Sequence, residues 1–245
     1  MTDKLRPSAL ANTSAAGTTG NHAGRIGASP AVKHIVWDWN GTLLDDNDAV
    51  VAGVNAVCAH FGHEPISLEQ WREVYSLPLV PCYERLLRRS VAAEWDALEQ
   101  LYHDTYRDVL RTTRLAAGVP GELRRWAATG GSQSLLSMWY HLELLPLVRE
   151  YQLTSLFTRV DGLRARSRSG SKTEHLAAHL AVQRLDPATV LVIGDALYDA
   201  AAAAAVGAQC VLVATGVMSE RKLRTAGVPV ASTVADAVRI TITRR

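Results

Sequence analysis

Asp38 ends the apolar run 34–37 and is followed at once by Trp39, Asn40, Gly41 and Thr42. A run of that kind reads as a buried strand, which carries the Asp38 carboxylate to the edge of a sheet where ligands bind. Gly41 lets backbone N–H groups approach an anion closely. A carboxylate beside such amides can attack phosphorus and form an acyl phosphate, splitting one hard step into two. The plainer alternative is an Asp that closes a strand in an Asn-Gly turn.

A second cluster, Gly-Asp-Ala-Leu-Tyr-Asp at 194–199, follows the apolar run 190–193. Asp195 leaves a strand end, and Asp199 shares its face if a helix begins there. Two carboxylates brought beside Asp38 make an oxygen-rich site suited to Mg²⁺, a hard cation. The metal would neutralise Asp38 and an incoming phosphate, which otherwise repel. The alternative is a helix capped by Asp195 with an acid in its first turn. Ser137 ends the run 133–137 and offers a hydroxyl to a phosphate oxygen, or simply forms a turn. Lys172 opens a helix at 173–184, and a compact ammonium suits phosphate as a point charge. Lysine is scarce here: of 26 Lys plus Arg only Lys4, Lys33, Lys172 and Lys222 are Lys.

Taken in order, Asp38, Ser137, Lys172 and Asp195 with Asp199 resemble the four motifs of the haloacid-dehalogenase-like (HAD) hydrolases. The resemblance covers about residues 33–217 and is most similar to the phosphoglycolate-phosphatase-like branch with a helical (C1) cap. It implies that Asp38 is the nucleophile of an aspartyl-phosphate mechanism. It implies Mg²⁺ held by Asp38, the backbone carbonyl of Asn40 and Asp195, with Asp199 in support directly or through water. Gly41, Thr42, Ser137 and Lys172 would hold the phosphoryl group of a small phosphorylated metabolite.

Asn40 departs from the family pattern, which has Asp there. That Asp protonates the leaving group and then activates water, and an amide does neither. General acid–base help contributes roughly 10²–10⁴ in rate. Three readings follow. The protein is a slow phosphatase, or one whose substrate has a good leaving group such as an acyl phosphate or phosphoanhydride. A neighbouring group or metal-bound water replaces the acid. Or the site binds a phosphorylated ligand with little turnover, in a regulatory role. Hydrolysis is favoured, because a silent site has no need of Asp38, Lys172 and Asp195 together. Metal-free dehalogenation leaves the paired acids unexplained. A Schiff-base route would need a Lys in 48–114, which has none.

These residues need a scaffold. Apolar runs at 34–37, 133–137, 155–159, 190–193 and 210–214 read as buried parallel strands. Helical patterns at 141–152, 173–184 and 198–206 lie between them, which predicts a doubly wound, Rossmann-like α/β domain. The gap between the first two strands carries helices at 48–61, 67–75, 81–90 and 92–113, with a capping box at Ser67 and Gln70. The expected organisation is a disordered tail at 1–32, an α/β core at 33–47 and 115–245, and an inserted helical cap at 48–114. A last strand and helix at 228–240 would extend the sheet edge.

Composition narrows the partners. A chain of 245 residues with net charge +2 gives no footprint for nucleic acid. Three Cys at no metal-like spacing argue against a disulfide framework and for a reduced, cytoplasmic setting. The tail lacks the apolar stretch of a signal peptide. The uncharged stretch 200–218 breaks at Gly207, as a helix followed by a strand rather than a membrane span. Monomer and dimer both stay open. Among weaker candidates, Trp39 should pack against the sheet, while Trp139 and Tyr140 either pack or face the cap. Arg85 in the loop 76–86, and Arg164, Arg166 and Arg168 before Lys172, are either anion contacts or solvated.

Overall fold

The computed structural model of the protein describes residues 30–164 and 171–243. Most of the expected tail lies outside them, but Val32 is already fully buried and the carbonyl of Pro30 accepts from the Gln209 side chain. Packing therefore begins just before the first strand, β1 (His34–Trp37). After a tight turn come β2 (Leu44–Asp45), α1 (Asn47–His60), α2 (Leu68–Val74), α3 (Leu79–Leu87), α4 (Trp95–Leu110) and β3 (Arg114–Leu115). The chain then alternates: α5 (Val119–Ala128), β4 (Ser132–Tyr140), α6 (His141–Glu150), β5 (Val160–Leu163), α7 (Lys172–Gln183) and β6 (Val190–Gly194). It closes with α8 (Leu197–Val206), β7 (Gln209–Val213), α9 (Glu220–Leu223), β8 (Val230–Ala231) and α10 (Val234–Ile242).

Six of these strands form one parallel sheet in the order β5-β4-β1-β6-β7-β8, so β1 sits at the centre with β4 and β6 on its flanks. Successive β1 residues face opposite layers. Ile35 and Trp37 join the core beneath α5 and α10, while Val36 joins the core beneath α7 and α8. Both faces are covered, which is why the strand reads as an unbroken apolar run. This is the expected doubly wound α/β fold. Each large side chain buried in it contributes roughly 1.5–3 kcal/mol.

Two strand expectations need correcting. Residues 155–159 are not a strand: a 3-10 turn occupies Thr154–Leu156, and the strand starts at Val160. The reason is position. β5 is an edge strand and needs no continuous apolar run, while Leu156 packs into the core from the turn. Ser137 does not end its strand either, since β4 continues to Tyr140 through a register shift between Leu136 and Tyr140. Helix α5 has no counterpart in the sequence reading, because its Val119-Pro-Gly start looks like a break. Gly118 in a left-handed conformation and a Pro at the start of the helix begin it, and Leu123 and Trp126 anchor it.

The four helices α1–α4 stand between β1 and β4 in the chain, and both crossings are joined by the antiparallel pair β2–β3. α1 packs along α4. The Ser67–Gln70 capping box starts α2, and Lys222 from α9 donates to the carbonyls of Arg72, Glu73 and Tyr75 at its end. Cys58, Cys82 and Cys210 are free and buried. Among the described residues, no helix is long and apolar enough to cross a membrane.

At the starts of the central strands runs a buried polar chain. Asp161 Oδ2 faces His179 Nδ1, His179 Nε2 faces Ser134 Oγ, Ser134 Oγ faces His34 Nε2, and His34 Nδ1 faces Ser132 Oγ, each at 2.7 Å. One proton per link satisfies it throughout. The Asp161 carboxylate accepts from His179, and each group further along accepts in the same direction.

Candidate active site

Asp38 stands just past β1, where its N–H still donates to the carbonyl of Ile193 at 2.8 Å. The parallel register therefore delivers its buried carboxylate to the same edge as Asp195, which follows β6. The chain turns sharply after Asp38, with the N–H groups of Thr42, Leu43 and Leu44 all converging on the Trp39 carbonyl. Gly41 at φ 69° makes that turn possible. A Cβ there would lie 2.5 Å from Asp195 Oδ2, and one at Gly216 would lie 1.7 Å from it. The two glycines thus clear the space that the Asp195 carboxylate occupies.

Lys172, the first residue of α7, is almost fully buried, and its ammonium pairs with both Asp38 and Asp199. It also lies 5.2 Å above the Tyr198 ring. The Ser171–Glu174 capping box fixes the helix end that carries it. Asp199 accepts from the Ala196 N–H at 3.1 Å, so it caps α8 as well as pairing with Lys172. Gly194 gives it room, since a Cβ there would lie 2.2 Å from its carboxyl carbon.

Asn40 is held on three sides. Its amide donates to Tyr106 Oη at 2.7 Å and to Asp46 Oδ2 at 3.1 Å, and its carbonyl accepts from Ser137 Oγ at 3.3 Å. Ser137 in turn accepts from the Trp139 N–H at 3.0 Å. Thr42 is buried in the turn, and its hydroxyl has no hydrogen-bond partner among the described residues.

The sequence reading missed Asp46. It stands at the N-cap of α1 yet makes no side-chain cap bond. Its Oδ1 accepts from the Gly41 N–H at 2.7 Å, and its Oδ2 accepts from Tyr106 Oη at 2.6 Å. The Gly41 N–H, expected at a phosphoryl group, donates to Asp46 here, and a Cβ at Gly41 would fall on the Asp195 carboxylate. The available signal was the acid pair Asp45-Asp46 directly before a helix. Tyr106 offered none, being 60 residues further on.

Four buried carboxyls thus lie at this edge, and the Lys172 ammonium pairs with two of them. Burial lifts the Asp38 carboxyl to about 7, against the pull of Lys172 and with a push from Asp199 and Asp46. Burial also raises Asp195 well above its ordinary value, and the charges of Asp38, Asp199 and Asp46 add to it. Asp46 is raised by burial, although Tyr106, Asn40 and the Gly41 N–H oppose the shift. Burial alone would lower the Lys172 ammonium, but Asp199 and Asp38 outweigh it and hold it above its usual range.

The residues fit a hard cation. Asp195 Oδ1 is buried with no hydrogen-bond partner among the described residues. Among the described residues, no group of three or more His, Cys, Asp or Glu side chains is arranged to hold a metal ion, and Asp199 is engaged by Lys172 and the Ala196 N–H. Asp38 and Asp195 remain as the pair, and Mg²⁺ typically takes one or two carboxylates and fills its octahedron with water and phosphate oxygens.

Above this edge lies a cavity of about 210 Å³, walled by α1–α4 and floored by Asn40, Gly41 and Asp195. Trp139 lines it and packs against Tyr106 with ring centroids 5.1 Å apart. Trp39 is buried against the core and faces Tyr151 at 6.2 Å. Arg85 is exposed and donates to Ser76 and to the Val74 carbonyl. Arg164 is exposed and pairs with Asp161 at 3.5 Å, while Arg166 and Arg168 lie outside the described residues.

Comparison with known proteins agrees with this architecture. A family model described as haloacid dehalogenase-like hydrolase matches residues 35–213. The phosphoglycolate phosphatase of Synechococcus elongatus is 28% identical over 197 residues, covering 77% of this chain and 87% of the relative. A 5′-nucleotidase of Pseudomonas aeruginosa is 23% identical over 192 residues, covering 78% and 86%. The solved structure of a haloacid dehalogenase-like family hydrolase from Streptococcus pneumoniae superposes with a TM-score of 0.73 at 15% identity, covering 85% of this chain and 98% of that one.

Proposed function

Since the chain belongs to the haloacid dehalogenase-like hydrolases, we propose that it is a Mg²⁺-dependent phosphatase that transfers a phosphoryl group to Asp38 and then to water. The names phosphoglycolate phosphatase and 5′-nucleotidase borne by its relatives support a small phosphorylated substrate. The observation that carries the reading is the excess of buried carboxyls: Asp38, Asp46, Asp195 and Asp199 are all buried, and Lys172 pairs with only Asp38 and Asp199. Leaving charge uncompensated in a buried site is costly, and a bound cation relieves that cost.

Asp38, Asp195 and the backbone carbonyl of Asn40 would hold the metal, with Asp199 behind them. When bound, Mg²⁺ supplies positive charge to the nucleophile and the phosphoryl oxygens together. Lys172 holds Asp38 in place and offers its remaining N–H to a phosphoryl oxygen. Ser137 and Thr42 supply hydroxyls to the same group. Asp38 attacks phosphorus, the ester oxygen leaves with the bonding pair, and water then cleaves the aspartyl phosphate. Helices α1–α4 act as a cap that restricts access to small esters.

Asn40 keeps its backbone carbonyl but has no proton to give. Hydrolysis of acetyl phosphate and of a panel of metabolite phosphates, with Mg²⁺ and with EDTA, tests the proposal. Turnover should require Mg²⁺ and fall roughly 10⁴-fold or more in Asp38→Asn. Asn40→Asp should speed poor leaving groups more than good ones. Turnover that persists in EDTA sinks the metal assignment. Tight ester binding without turnover by the natural sequence sinks the enzyme and leaves a binding protein.

A further inference from the structure

The cavity above Asn40 has a lining unlike that of a site for a small, highly charged metabolite. Its walls carry Trp71, Tyr83, Trp95, Tyr102, Tyr106 and Trp139, with aliphatic side chains between them. Three acids line it, Asp46, Glu99 and Asp195, with one imidazole, His103. No Lys or Arg lines it among the described residues. Nearby guanidiniums are directed elsewhere: Arg72 donates to the carbonyls of Gly216 and Thr215, and Arg107 pairs with Glu143. A substrate with a carboxylate beyond its phosphate, as in phosphoglycolate, would meet mainly acids and ring faces, with no Lys or Arg among the described residues of the lining to pair with.

Size points the same way. A cavity of about 150 Å³ holds a benzene ring, so about 210 Å³ takes one ring with small substituents. The chemistry at position 40 adds an independent constraint. With Asn40 unable to protonate the departing oxygen, a leaving group that is stable as an anion is favoured. A phenol, with a pKa of about 10 like tyrosine, leaves as phenolate far more readily than an aliphatic alkoxide.

We infer that the substrate class is an aryl phosphate whose ring carries no further charge, with the ring in the aromatic cavity and the phosphate at Asp38. This rests on the phosphatase reading and specifies its leaving group. Asp38 forms the bond to phosphorus, the phosphorus–aryl oxygen bond breaks, and its electron pair departs on the phenolate, which takes a proton from solvent. Water then attacks the aspartyl phosphate, restoring the Asp38 carboxylate and releasing orthophosphate and a proton. Ring faces favour offset and edge contacts with a planar guest, and the cavity walls present rings at several tilts.

The full chain should be assayed with four substrates that separate ring from leaving group. Phenyl phosphate has both ring and phenolate, and benzyl phosphate has the ring with an alkoxide. Acetyl phosphate has a good leaving group without a ring, and 2-phosphoglycolate has neither. The expected kcat/KM for phenyl phosphate exceeds that for phosphoglycolate by at least 100-fold, with benzyl phosphate limited in kcat and acetyl phosphate in KM. Trp95→Ala should lower the phenyl-to-acetyl phosphate ratio by tenfold or more. In parallel, calorimetry should find phenylphosphonate binding at least tenfold tighter than methylphosphonate or phosphonoacetate. That arm needs no turnover. Turnover of acetyl phosphate and phosphoglycolate without aryl preference overturns this inference and leaves the phosphatase. Aryl-selective binding with no turnover supports the recognition and overturns the phosphatase.

Discussion

Two buried polar networks occupy opposite ends of the same strands. At the amino ends, Asp161, His179, Ser134, His34 and Ser132 hand protons along in one direction, and each link has a partner. At the carboxyl ends lie four buried carboxyls, of which Asp38 and Asp199 pair with Lys172, and Asp195 Oδ1 has no hydrogen-bond partner among the described residues. The first network has the residue types of a hydrolytic triad, yet every link in it is paired, and Ser134 at its middle is fully buried. The second is under-neutralised and opens onto a cavity. Residue type alone does not make chemistry. A reactive site is one whose groups the protein leaves partly unsatisfied, so that a ligand completes them.

Titration separates the two networks by sign. Burial, helped by the nearby His179, lowers His34 to about 4, and burial lowers His179 despite the pull of Asp161. Burial alone would raise Asp161, but hydrogen bonds from Arg159 and His179 hold it below its usual value. A proton added to the histidine chain finds no acceptor. A proton added to the acid cluster relieves repulsion. Acid should therefore weaken the first network, and base the metal-free second.

The contrast can be broken most severely at Ser134. Ser134→Ala leaves two buried imidazole nitrogens without partners, each costing about 1–3 kcal/mol. Urea unfolding should show a loss of roughly 2–4 kcal/mol, with kcat per folded molecule retained. A loss of activity at full stability would mean that the histidine chain takes part in catalysis.

Next is pH. With Mg²⁺ saturating, stability should fall as pH drops from 6.5, where an unfolded histidine begins to charge, toward about 4, where His34 charges in the fold. Unfolding titrations should find a loss of up to about 3 kcal/mol across that window, and His34→Asn should flatten it. In metal-free protein the raised Asp38, at about 7, acts oppositely, removing stability as pH rises from its ordinary range toward neutrality. The metal-free curve should therefore be flatter.

The smallest effect sharpens the metal assignment. At tenfold excess over its dissociation constant, Mg²⁺ should stabilise by about 1.4 kcal/mol. The shift in Tm should be larger at pH 8 than at pH 6, because protons compete for Asp38. Asp195→Asn should abolish it. An equal shift in that variant would place the ion elsewhere.

Much of this was legible in the chain. Asp38, Lys172 and Asp195 stand at strand and helix ends, where an apolar run stops and a polar residue begins. Such boundaries are local and readable. β1, β6 and β7 were readable because central strands must be apolar on both faces, whereas the edge strand β5 escaped that rule. Asp46 and Tyr106 meet across 60 residues, and no local pattern encodes that pairing. The histidine chain was equally hidden, since Ser134 and His179 read as an ordinary strand residue and an ordinary helix residue.

The short ladder β2–β3 has a consequence for descent. Leu44 pairs with Leu115 and Asp45 with Arg114, so the chain leaves the sheet domain and returns to it at neighbouring points. A hairpin turn of a few residues could bridge Asp45 and Arg114 without disturbing the six-stranded sheet. The stretch between them also carries Asp46 and Tyr106, which hold Asn40 and the Gly41 N–H, so a roof exchanged at this ladder would alter the floor of the site with it.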